Sequence, residues 1–448
     1  MNGREKLIGI VCQRACFVNR LLQPGVWTII GEDVRKSVRE ARVALELNKL
    51  SGQVDQMGQA IAERFNRHRQ LIEQAQAMLA EHAQVSDELR AKIRQAHDVD
   101  QSWRGAEPLG ERLDERHTPA GAVQPAGAVP SAILIAADGS QIYPDRHAIA
   151  TYYLLNTGSI VLRQGSGQAP SVKSIPQIFF EDSDLYDETG RLLDPEQINR
   201  QRDHLELAAL AELAEAERSA LGGDIAQTIL TLSDGPLLPW MPQRTANDAL
   251  RQEVGYLAGQ FTRLQRARAI PVGFVDRPGS AYVLRTLELA GQNVEQINRQ
   301  TVRSGKFRLL TDRLLFAGLA PNQRSGMFAS TSEINDRFGE QGQRVAFFYA
   351  NMGHRPGLQN AVIARIEMPV WAARDPSTLD TAQNAIYQDC ALNGFPYVLG
   401  RAHELAVVGT VERANLEAML GQAMLRCGIT PATSAKAEYK RLMAARRR

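Results

Sequence analysis

At 448 residues the chain is long enough for two or three domains. Its 44% hydrophobic and 23% charged residues give an ordinary globular composition with enough apolar material for a sizeable core. A net charge of +2 excludes a polycation, so any contact with nucleic acid must come from local patches. Cys12, Cys16, Cys390 and Cys427 form no CxxC pair and no zinc-like spacing, and read as reduced thiols of a cytoplasmic protein. The stretch "MNGREKLIGIVCQRACFVNRLL" is broken by charge after each short apolar run, so neither a signal peptide nor a membrane span is expected.

Residues 1–104 read as helix. Met57, Ile61, Phe65, Ile72, Leu79, Val85, Leu89 and Ile93 recur mostly at helical spacing, which fits either a coiled coil or a face packed on its own domain. A Pro/Gly/Ala-rich linker is expected over 105–131, where "PAGAV" occurs at Pro119 and again at Pro125. From 132 to 440 the pattern is mixed. "AILIAAD" predicts a strand, and "AIATYYLLNTG" and "SIVLRQG" two more, joined by turn residues Asn156, Thr157 and Gly158. "INRQRDHLELAALAELAEAERSAL" predicts an amphipathic helix, and "AQTILTLSDG" a buried strand. Helix over "NDALRQEVGYLAGQFTRLQRARA" and strand over "IPVGFVD" follow, then strands over "QRVAFFYANMG" and "AVIARIEMPVW" and C-terminal helices over 379–392 and 411–427. This order predicts a mixed α/β domain. The tail over 441–448 is basic; "KAEYKRLMAARRR" carries six basic residues and one acid, and fits a frayed helix end as well as a phosphate-binding tail.

Two of the strands run into Asp-Gly, at Asp138 in "AADGSQ" and Asp234 in "LSDGPL". Glu206 lies near the start of the helix between them, and His403 at the start of an apparent helix in "NGFPYVLGRAHELAVVG". Carboxylates with one imidazole suit Mg²⁺ or Mn²⁺, and paired metals suit phosphodiester cleavage because they activate water and stabilise the leaving oxygen. Taken singly, each residue also fits a turn, surface or core role. Arg277 and Arg324 fit loops where a guanidinium could grip phosphate or form a surface ion pair; Lys436, Lys440 and Arg441 offer the same from the tail. Trp371 suits core packing or a dimer interface, and Tyr152 and Tyr153 a strand interior or base stacking. The chain has no Walker A or GxGxxG motif, so it should not hydrolyse ATP itself.

From about Ser131 to Lys440 the chain resembles the NurA family of DNA end-processing nucleases. The resemblance rests on "ADGSQ", the R-x-x-x-E pattern of Arg202 and Glu206, "LSDGPL", "VGFVDRPGS", "QRSGMF", "FFYANMG", "ARIEMPVW" and "GFPYVLGRAHELAVV", in that order. It implies an RNase H-like mixed sheet flanked by helices. It also implies a Mn²⁺- or Mg²⁺-dependent site formed by Asp138, Glu206, Asp234 and His403. Further implied are exonuclease activity with single-strand endonuclease activity, a homodimer, and a HerA-like hexameric ATPase as partner in DNA repair or phage defence. The family's tyrosine eight residues before the histidine is Phe395 here, with Tyr397 two residues on as a substitute. Pro236 replaces the serine usual after the second Asp-Gly. The Phe395 departure leaves a second reading, a non-catalytic scaffold subunit.

Overall fold

The computed structural model describes residues 47–119, 131–145, 147–239, 247–355, 357 and 361–431. Most of the repeat-bearing linker, the basic tail with Lys436, Lys440 and Arg441, and Cys12 and Cys16 lie outside them. The chain divides between Arg67 and His68 into two units. In the first, Val54, Met57, Ile61 and Phe65 line one helical face and are all exposed. The helix that carries them, α1 (Ser51–Glu81), runs on into the second unit, where Ala75 and Leu79 are buried. The apolar period then breaks, and α2 (Asp87–Val99) starts afresh with Ser86 as its N-cap.

The rest of the second unit is built on an 11-stranded mixed sheet flanked by helices. Its main path runs β1 (Ala106–Pro108), β9 (Phe328–Ser330), β10 (Val345–Asn351), β11 (Ile363–Pro369), β7 (Ala269–Val275), β6 (Thr228–Asp234), β3 (Ala132–Ile142), β4 (Tyr153–Arg163) and β5 (Ser171–Phe179). Two-residue strands β2 (Arg116–His117) and β8 (Arg324–Ser325) pair off this path. Strands β3, β6 and β7 are parallel, and the other pairings are antiparallel. The segment read as the beginning of a linker thus supplies β1 and β2, with Leu113 fully buried between them.

Alternation along β3 sorts the helices into two layers. Ile133, Ile135 and Ala137 pack against α3 (Pro195–Ala220) and α4 (Asn247–Arg266). Ala132, Leu134 and Ala136 face α7 (Pro376–Asp389) and α8 (Tyr397–Ala406). A separate core joins α1, α2 and α5 (Tyr282–Ala290) to β9 and β10; α6 (Glu333–Glu340) packs near α4, and α9 (Thr410–Arg426) covers Ile142 and Leu154. Among the described residues, no helix is long and apolar enough to cross a membrane.

Three sequence expectations change. Asp138 does not end its strand: β3 continues to Ile142, with Asp138 opposite Gly158 on β4. Asn156, Thr157 and Gly158 make no turn, because β4 is one continuous strand through them. β5 had no counterpart in the sequence reading; nearly all its residues are exposed at the sheet edge, so it shows no burial alternation.

Candidate active site

The parallel pairing of β3 with β6 stops at Ala136 and Leu232. Asp138 and Asp234 lie two residues beyond that pair, on neighbouring strands and on the same face. Asp276 follows the end of β7, the next parallel strand. The carboxyl ends of parallel strands are where open α/β sheets place ligands, because the strands splay and leave a crevice. Past Ala136, β3 has no neighbour on its β6 side, so groups from both faces of the sheet can meet at this rim.

From the α8 face comes His403. Its Nδ1 lies 2.7 Å from Asp138 Oδ2. A carboxylate only accepts hydrogen bonds, so Nδ1 carries the proton and Nε2 is the free nitrogen. His403 stands in the last turn of α8 rather than at its start, and that helix end is fixed closely. Ser140 Oγ donates to Ala406 O at 2.5 Å, and Asn156 Nδ2 to Ala406 O at 2.8 Å and Leu405 O at 3.2 Å. These side chains satisfy carbonyls that a helix C-terminus leaves unpaired. A Cβ on Gly158 would stand 2.4 Å from Ala406 N and 2.6 Å from Ala402 O, so only glycine admits the helix here. At its other end, Asp389 accepts from Val398 N at 3.0 Å, with its carboxyl pushed up to about 6 by burial. Asn156→Ala is expected to lower stability by about 1–2 kcal/mol, for the lost bonds to buried carbonyls. A shifted thermal midpoint together with reduced cleavage would show that this anchoring positions His403.

Glu206 comes from the opposite face. Gly139, whose Cβ would stand 2.6 Å from Glu206 Oε1, leaves room for it. Arg202 Nε is 3.1 Å from Glu206 Oε1. The guanidinium directs its hydrogen bonds instead to Asp203 Oδ1 (2.7 Å) and Gln141 Oε1 (3.0 Å), so Glu206 Oε1 is buried without a hydrogen bond. Burial pushes Glu206 up to about 8; Arg202 opposes that, while Asp203 and Asp138 add to it. Asp234 is also raised, by loss of hydration and by the charges of Asp138 and Asp276, with His403 opposing. Its loop is held by Glu367, which accepts from Leu237 N at 2.8 Å and pairs with buried Arg365 at 2.7 Å. Gly273 lets that loop cross β7: a Cβ there would meet Gly235 O at 2.7 Å.

Two carboxylates whose proton affinity burial and the Asp138 charge raise, with an orphaned buried oxygen among them, form with Asp138 a donor set that fits a hard divalent cation. Among the described residues, however, no three His, Cys, Asp or Glu side chains are already arranged around one metal position. His403 holds one oxygen of Asp138, and Arg202 lies against Glu206.

Other expected site residues are placed differently. Tyr397 opens α8 and is exposed; six residues separate it from His403, about 9 Å along the helix and on another side of it. Phe395 packs edge-on against Phe274, with ring centroids 5.6 Å apart. Arg324 is not in a loop at the surface: it lies in β8, is 6% exposed, and is engaged by Asp380 at 2.8 Å and Gln383 at 2.7 Å. A buried, paired guanidinium is not presented to a phosphate. Arg277 is exposed at the end of β7. Tyr152 and Tyr153 are buried, and Trp371 is half-buried with its indole N–H on Gln343. Ser140, Gln141, Asn156, Gly158 and Asp276 were missed as site residues; "ADGSQ" contained the first two, two and three residues after the acid.

The chain is thus an α/β protein with an acidic rim and one imidazole at the carboxyl ends of parallel strands in a mixed sheet. The NurA domain model matches residues 133–408, and the chain belongs to the NurA family. It is similar in structure to the NurA nuclease from Sulfolobus solfataricus, at 12% identity and a TM-score of 0.39, over 82% of this chain and 97% of that one. No curated protein matches the chain.

Proposed function

We propose that the protein is a divalent-metal-dependent deoxyribonuclease whose cleavage site is the rim of Asp138, Glu206, Asp234 and His403. The observation that carries this reading is the gathering of those residues from four separated segments, with Glu206 and Asp234 held at raised proton affinity. Mn²⁺ or Mg²⁺ would be held by the three carboxylates and would supply charge stabilisation and water activation. Asp138 orients His403 through Nδ1, leaving Nε2 to take a proton from the attacking water or return one to the leaving oxygen. Arg202, against Glu206, keeps that carboxylate near the rim.

The reading includes exonuclease activity with single-strand endonuclease activity, and a HerA-like hexameric ATPase that drives DNA through the site in repair or phage defence. The lack of a phosphate-binding loop in this chain supports an external source of work. Exposed Val172, Ile175 and Ile178 on the edge strand β5 support a homodimer. Tyr397, Lys436 and Lys440 are kept as further candidates on the family resemblance, and Arg277 on its exposure beside the rim.

The test is cleavage of end-labelled single- and double-stranded DNA in Mn²⁺, Mg²⁺ or EDTA. Metal-dependent cutting by the wild type and at least about a thousandfold loss in Asp138→Ala are expected, from loss of a group that acts on the reacting atoms. No cutting, even with a HerA-like ATPase added, would favour a scaffold subunit.

A further inference from the structure

Beside the rim, the chain segments following β7, β10 and α7 enclose a cavity of about 720 Å³. Asp276 belongs to both places: it lines this cavity, and its charge raises Asp234. Of the described residues lining it, Asp276 is the one carboxylate; Asn393 is neutral, and the remaining polar side chains are basic. Arg277, Arg313, His354 and Arg355 line the cavity with Phe395. Among the described residues, none of the three arginines has a salt-bridge partner, and all three line this one cavity. Arg277 also adopts φ 47°, a left-handed conformation that side-chain-bearing residues rarely take and that tends to mark functional sites.

Three unpaired guanidinium groups facing one carboxylate call for an anion with several charges. Two rings supply flat apolar surface. His354 stacks on Tyr387 with centroids 4.0 Å apart, held by a hydrogen bond from Nε2 to Tyr387 O at 2.8 Å. Phe395 is braced edge-on by Phe274. Phosphate-gripping arginines combined with stacking rings are the chemistry of a single-strand nucleic-acid groove. The volume lies in the class that encloses a small ligand, about 300–1,000 Å³, so it takes a nucleotide or two and not a duplex. Antiparallel pairing of β7 with β11 sets the groove about two strand spacings, roughly 10 Å, from Asp234.

We propose that this groove holds the single strand next to the cleavage rim, with Arg277, Arg313 and Arg355 on its phosphates and the rings of Phe395 and His354 on its bases. The proposal rests on the nuclease reading and deepens it: the strand must be separated from its complement to lie there. It also gives Phe395 a role that needs the ring and not the hydroxyl.

The experiment is fluorescence anisotropy in EDTA, so that nothing is cut. The probes are labelled oligothymidylate of roughly 12 nucleotides, within the usual single-strand site size, and a duplex of the same length. The variants are R313A/R355A, F395A and, as a charge-matched control on exposed arginines of the helix before β7, R251A/R266A. The single strand should bind more tightly than the duplex. R313A/R355A should weaken it at least about tenfold and lower the slope of log K against log salt by about 1.4, two phosphate contacts at 0.7 each. F395A should weaken it about 5- to 100-fold with the slope unchanged. Equal binding by R313A/R355A and the control, or a wild-type preference for duplex, would overturn the proposal. Cleavage in Mn²⁺ by the same samples separates the two readings. A wild type that binds through the groove but cuts nothing keeps the groove and removes the nuclease. Groove variants that bind normally while the wild type cuts do the reverse.

Discussion

Gly158→Ala is expected to disable the protein without substituting any proposed site residue. The added methyl would stand 2.4 Å from Ala406 N, 2.6 Å from Ala402 O and 2.7 Å from Leu405 C. All three are backbone atoms of the helix end that carries His403, so no side chain can rotate out of the way. The helix must back off β4, breaking the bonds from Asn156 and Ser140 to its last carbonyls. Overpacking of this kind costs about 1–3 kcal/mol. A catalytic group displaced by about 1 Å costs on the order of a hundredfold in rate. Gly400→Ala is the control: it lies in the same helix with nothing within 4 Å of its Cβ, and should be neutral or slightly stabilising. Equal cleavage by Gly158→Ala and wild type would show that His403 does not depend on this contact.

Glu206→Gln is expected to gain stability and lose activity. The carboxyl is raised from 4.5 to about 8, chiefly by burial. Between those values the native state keeps a proton that the unfolded chain releases. The Glu206 contribution to stability therefore falls as pH rises from about 4.5 to 8 and is flat on either side. At pH 7 the difference is on the order of 3 kcal/mol. Glutamine has no proton to lose, so the variant should lack this slope and exceed the wild type by about 1–3 kcal/mol near pH 8. Melting curves across pH measure it. Added Mn²⁺ should raise the wild-type midpoint, more so at higher pH, because a ligand must shed its proton to bind metal. The variant should respond weakly. An unchanged pH slope in Glu206→Gln would place the titration elsewhere.

Long periodic elements were legible in the sequence. The helix around Glu206 and the strands leading to Asp138, Asp234 and Asp276 lie where their apolar patterns put them, because burial on both faces or on one stripe writes itself into residue order. β4 was cut in two because Asn-Thr-Gly carries turn chemistry, yet Gly158 serves close helix packing and Asn156 a helix cap. β5 was missed because an exposed edge strand has no buried face to alternate with. The acids of the candidate site stood out as Asp-Gly steps after apolar runs, but their meeting depends on where β6 stops pairing with β3, a tertiary fact. Arg324 and Arg277 looked alike as sequence; only the folded chain buries one against Asp380 and leaves the other exposed.

The most direct measurement is anomalous diffraction from a crystal of the full chain soaked in Mn²⁺. A manganese peak among Asp138, Glu206 and Asp234, with Glu206 turned from Arg202 toward the ion, is the expected result. Full Mn²⁺ occupancy elsewhere, or none at this rim while DNA is still cut, would contradict the assignment of these carboxylates as the metal site.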